Sequence, residues 1–110
     1  MPRAPVTKSH SIKLVALLLA LSVAQGARAH AADIAFGEYL SGECATCHRK
    51  DGREKGIPAI IGWPADQFLA VMHAYKTKDR PNLVMQTIAG KLSDKELEAL
   101  AAYYGSLKPQ

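Results

Sequence analysis

Cysteine, tryptophan and internal repetition are all scarce in this 110-residue chain: it has two Cys and one Trp, and no segment recurs at a fixed period. The lack of a repeat excludes a solenoid, and the length excludes a large catalytic domain, leaving one small domain near the lower limit of an unaided hydrophobic core. Acidic residues are missing altogether from residues 1–29, which carry Arg3, Lys8, Lys13 and Arg28. No apolar run approaches the roughly 20 residues a membrane span needs, since the run Leu14–Ala24 has only 11. No Cys follows that run at lipoprotein distance and no Arg-Arg pair precedes it, which leaves general export as the remaining reading of a basic, apolar leader.

What is present in that leader fits the reading. A basic start, the apolar run and the small-residue end Ala27-Arg28-Ala29 have the three parts of a secretory signal, with cleavage expected after Ala29. Residues 1–29 are thus expected to be a signal peptide and residues 30–110 a periplasmic domain. Four of the 14 basic residues go with the leader, so ten bases face ten acids from His30 onward. A basic nucleic-acid surface is therefore not expected, nor is stable membrane insertion.

Both cysteines lie in the exported part, as Cys44-Ala45-Thr46-Cys47-His48. A disulfide closing so short a loop would constrain the unfolded chain little, and a thioredoxin-like pair needs alternating strands and helices that the sequence does not show. Zinc needs four ligands, and no second Cys/His pair exists. Covalent haem attachment explains the motif best. The three-residue step between thiols matches the two porphyrin vinyl groups, and the adjacent imidazole can ligate iron from the same side.

The sixth ligand separates electron transfer from ligand chemistry. Met72 shares a helical stripe with Phe68, Val71 and Tyr75, which predicts packing. Met85 stands 37 residues after His48, in Pro81-Asn82-Leu83-Val84-Met85-Gln86, where irregular or short helical backbone can carry its thioether to the opposite haem face; it is the expected ligand. His73 projects away from the stripe of its helix and is expected in solvent.

Three helices can be placed. One runs from Ile34 to about Gly42, one over Ala65–Lys76, and one follows Leu92, Ser93 and Glu96, a hydrophobic staple with a capping box. Gly37 costs roughly 1 kcal/mol in a helix interior, which predicts close approach of another backbone. The expected partner is the last helix, near Tyr103-Tyr104, with Gly105 ending that helix. The segment Arg49–Lys55 reads as a solvated loop that can form part of a docking surface. Ile57, Ile60 and Ile61 either line the haem edge or cover the core.

The order of C-A-T-C-H, Pro58-A-I-I-Gly62, Tyr75-Lys76, V-Met85-Q and L-S-D-K-E-L-E-A-L-A-A-Y-Y resembles a small bacterial class I cytochrome c. The stretches G-I-P-A-I-I-G, A-Y-K-T-K-D-R-P-N and V-M-Q-T-I-A are similar to the monohaem cytochrome subunit of flavocytochrome c sulfide dehydrogenases. The resemblance implies an all-α fold of three to four helices around one haem c, thioether bonds at Cys44 and Cys47, axial ligands His48 and Met85, and the Pro58 carbonyl as acceptor for the His48 ring. It also implies Tyr75 and Arg80 as partners of the haem propionates, and an FAD-containing sulfide dehydrogenase subunit as electron donor. Such a chain is an electron-transfer protein with no bond-making residues. The alternatives are a freely diffusing carrier, a subunit of another dehydrogenase such as a sulfite dehydrogenase, or a haem enzyme or gas sensor. Lys78 stands where relatives commonly carry Gly.

Overall fold

Helix α1 (33–44) runs into the Cys-Ala-Thr-Cys-His motif, and α2 (Ala65–Lys76), α3 (Leu83–Lys91) and α4 (Asp94–Ser106) follow in order. The computed structural model describes residues 1–2, 30, 33–53 and 56–109, and no strand occurs among them. The expected signal peptide lies outside the described residues but for its first two, and so do Glu54 and Lys55 of the charged loop. Among the described residues no helix is long and apolar enough to cross a membrane.

The all-α architecture is the one expected. Its tightest point is the contact of α1 with α4: a Cβ added at Gly37 would lie 2.0 Å from the Ala99 carbonyl oxygen and 2.7 Å from the Tyr103 Cβ. Two backbones can approach so closely only because one position lacks a side chain. The apolar stripe of α4, with Leu97, Leu100, Ala101 and Tyr104 all at most 2% exposed, forms the centre of the core. Burying Leu97 and Leu100 contributes roughly 1.5–3 kcal/mol each. Tyr104 stacks on Phe68 of α2 at a centroid distance of 5.7 Å, and Tyr103 meets Tyr104 edge-on at 5.2 Å.

Local sequence sets the helix ends. Ser93 caps α4 in the expected capping box with Glu96, and Asn82 caps α3 by accepting the Met85 N–H. Helix α2 starts after Pro64, whose fixed φ suits that place. It stops at Thr77, and Lys78 then adopts a left-handed φ of 68° while its N–H donates to the Tyr75 carbonyl. Glycine is the residue that takes this conformation without cost, so the departure at Lys78 changes the residue and keeps the turn. Gly105 corrects an expectation: α4 continues through it to Ser106 and ends at Leu107 in extended backbone. Its missing side chain serves packing, because a Cβ there would lie 3.2 Å from the Trp63 carbonyl oxygen.

Candidate haem-binding site

The end of α1 shapes the motif. The His48 N–H donates to the Cys44 carbonyl at 2.8 Å and the Cys47 N–H to the same oxygen at 3.2 Å, so the chain makes one further helical turn after α1. That turn brings Cys44, Cys47 and His48 to one wall of a cavity of about 440 Å³, and Met85 in the first turn of α3 lines the same cavity. All four residues singled out by sequence therefore share one space. Both thiols are free.

The imidazole of His48 is held. Its Nδ1 lies 2.6 Å from the Pro58 carbonyl oxygen, and since a carbonyl only accepts, Nδ1 carries a proton and Nε2 is the nitrogen left to meet a metal. Such a bond fixes the ring and raises its donor strength toward a metal. Cys44 is half-buried, and that burial pushes its thiol above the ordinary range. The Glu43 charge adds to this shift.

The remaining walls are mostly apolar. Ile57, Ile60 and Trp63 come from the loop before α2, and Phe68, Val71 and Met72 come from α2. Ile57 and Ile60 line the cavity, while Ile61 belongs only to the core. Met72 is buried in the core as expected, although its side chain also reaches the cavity wall, and His73 is exposed. One edge is polar: the Arg80 Nε donates to the Tyr75 hydroxyl at 2.9 Å, and the guanidinium lies 5.3 Å from the Tyr75 ring centroid. Both residues line the cavity, which places a cation and a phenol where carboxylates of a bound ring can meet them.

The donor set and the space fit haem. The size lies in the range of cofactor cavities, two free thiols stand on one wall beside a nitrogen donor, and a soft thioether lines the same space. In the loop beyond the motif, the Arg49 guanidinium pairs with Asp51 and holds its carboxyl well below the ordinary range, with the Arg53 N–H adding to the effect. The charge of Arg49 is thus engaged locally, although both it and Lys50 are exposed.

Asn82 is the site residue that sequence reasoning missed. Its Oδ1 accepts the Met85 N–H at 3.0 Å, and it lines the cavity. The signal was available, because Pro-Asn three residues before a helical position is an N-cap pattern. The short helical backbone allowed for this stretch is the one observed, and its N-cap is the part that went unread.

Comparison with known proteins agrees with this geometry. The cytochrome c family profile matches residues 34–108. Cytochrome c4 of Pseudomonas aeruginosa is 36% identical over 97 residues, covering 86% of this chain and 48% of its own length. The cytochrome subunit of sulfide dehydrogenase of Chlorobaculum tepidum is 33% identical over 72 residues, covering 64% and 66%. Cytochrome c-554(548) of Halomonas halodenitrificans is 33% identical over 81 residues, covering 69% of this chain and 98% of that protein. The chain thus spans about half the length of the cytochrome c4 it matches and two thirds of the sulfide dehydrogenase subunit. With the family profile covering the helices of the described residues and every donor side chain of the cavity, the chain belongs to the cytochrome c family, whose cofactor is covalently bound haem c.

Proposed function

We propose that this chain is a periplasmic electron carrier in which Cys44 and Cys47 hold the haem by thioether bonds and His48 and Met85 are the axial ligands. The observation that carries the reading is the presence of all four side chains on one cavity, with the His48 Nδ1 engaged by Pro58. When bound, haem c supplies a one-electron iron couple. The protein's part is to hold ligands still: Pro58 fixes the imidazole, α3 presents the thioether, and the apolar walls keep water from the ring. A neutral thioether favours ferrous iron relative to a second imidazole, so His48/Met85 ligation implies a raised potential. Tyr75 and Arg80 would neutralise propionates at the polar edge.

The test is spectroscopic. Pyridine haemochrome analysis of protein expressed with its leader should show one covalently retained haem, and mass analysis should show a mature chain beginning at His30. The ferric protein should show a methionine–iron charge-transfer band that vanishes in Met85→Ala and persists in Met72→Ala. The reverse pattern would overturn the ligand assignment.

For the partner, the likeness to a sulfide dehydrogenase subunit supports an electron-accepting role beside an FAD-containing sulfide-oxidising chain. A second reading, a freely diffusing carrier, is supported by the likeness to cytochrome c4 and to cytochrome c-554(548), whose names specify no dehydrogenase. The thiosulfate dehydrogenase electron acceptor of Stutzerimonas stutzeri, 37% identical over 62 residues, points to other dehydrogenases as donors. Purification of the mature protein from its native source decides among them: stoichiometric co-elution with a flavin-containing chain supports the first, and a lone monomer reduced by several donors supports the second.

A further inference from the structure

The connection between α2 and α3 is tied down at both of its ends. The Arg80 N–H donates to the Ala74 carbonyl at 3.0 Å, at the end of α2. From the other side Gln86 Nε2 donates to the Arg80 carbonyl at 2.9 Å, and the Asn82 Oδ1 accepts the Met85 N–H at 3.0 Å. The Gln86 N–H also donates to the Asn82 carbonyl at 2.9 Å. Met85 is therefore followed by Gln86, which binds the preceding loop twice, and its own amide is held by the cavity-lining Asn82 side chain. No acidic residue occupies the first turn of α3, so the Asn82 amide is the neutral group that satisfies this end of the helix.

From this geometry we propose that Asn82 is a positioning residue that keeps Met85 on the iron. The proposal rests on the assignment of Met85 as axial ligand. With the cap in place, the Met85 backbone is fixed at the third position of a closed helical turn, and departure of the thioether requires side-chain rotation alone. Without the cap the first turn frays, and the whole residue can swing from the cavity. The cap thus sets how readily the Met85 thioether leaves the cavity, which would govern access of outside ligands to a bound haem more than it governs the fold.

Imidazole capture by the ferric holoprotein reads this directly, because at saturating imidazole the rate is limited by loss of the methionine. Asn82→Ala should speed capture by about fivefold, the factor expected for loss of one typical cap. Asn82→Ser, which restores a capping oxygen, should bring the rate back toward wild type. If Asn82→Ala does not fold, Asn82→Gly, which also lacks the oxygen but costs a helix less, should still speed capture, by less than about twofold. Ser93→Ala is the control: it removes the α4 cap at comparable cost in stability and should leave capture unchanged. An unchanged rate in Asn82→Ala, or equal acceleration in Ser93→Ala, would overturn the proposal while the methionine–iron band stays intact. Absence of that band from the wild-type protein would instead overturn the Met85 assignment and this proposal with it.

Discussion

The His48 ring donates through Nδ1 at 2.6 Å to the carbonyl oxygen of Pro58, ten positions further along the chain. On the proposed ligation the bond would leave Nε2 to face the iron and raise its donor strength, which would stabilise ferric iron over ferrous. Pro58→Ala keeps the carbonyl but frees the φ that proline fixes, so the acceptor is held less firmly. The reduction potential should then rise by about 40 mV, the equivalent of roughly 1 kcal/mol for one electron. Potentiometric titration checks this, and an unchanged potential would show that the loop does not control the imidazole.

Gly37 and Gly42 both lie in α1 and should respond oppositely to alanine. Alanine favours a helix by up to about 1 kcal/mol over glycine, and a Cβ at Gly42 meets nothing within 4 Å. Gly42→Ala should therefore stabilise the protein by about 0.5–1 kcal/mol. At Gly37 the Cβ would lie 2.0 Å from a backbone oxygen of α4, so the helices must part. Gly37→Ala should cost at least about 2–3 kcal/mol. Thermal denaturation of the two holoproteins decides it, and equal effects would mean that the crossing is elsewhere.

These elements differ in how far the sequence exposed them. The α4 cap was readable because Ser93 and Glu96 act within four residues, and the crossing at Gly37 because a helical glycine is costly unless something needs the room. The Cys44-to-His48 motif carries its chemistry in its spacing. Gly105 misled for the opposite reason: a glycine near a helix end signals a stop by local rules, yet its role is set by the Trp63 carbonyl, brought there by the tertiary fold. The cap at Asn82 is less legible, because Pro81 ahead of it fits an irregular loop and a short helix equally well. That the loop joining α2 and α3 is pinned by Gln86 and Ala74 is knowable only once those helices are packed.

Glu96 gives the fold a defined acid dependence. Its carboxylate accepts from the Ser93 N–H at 2.7 Å and from the Ser93 hydroxyl at 2.8 Å, and these bonds hold its carboxyl below the ordinary glutamate range. Between that lowered value and the ordinary value of about 4.3 the unfolded chain binds more protons, so stability rises with pH there. The contribution is complete above the ordinary value and is lost as pH falls through the folded one. Glu96→Gln should flatten the acid limb of the stability curve relative to wild type, while Asp51, present in both proteins, cancels from the comparison. Superimposable acid limbs would remove Glu96 from the account.

Tyr104 poses a different question, because its ring is used and its hydroxyl is not. The residue is 2% exposed, stacks on Phe68 and abuts Tyr103, yet its hydroxyl oxygen has no hydrogen-bond partner. Burial, with the neighbouring Cys44 adding, pushes its ionisation well above the ordinary tyrosine range. A buried hydroxyl without a partner costs about 1–3 kcal/mol. Tyr104→Phe preserves the aromatic packing and removes that cost, so the holoprotein should gain about 1 kcal/mol and melt some 4–8 °C higher. A loss of stability would mean that the hydroxyl bonds the Cys44 sulfur beside it in solution, and would make Tyr104 a support of the haem attachment rather than of the core alone.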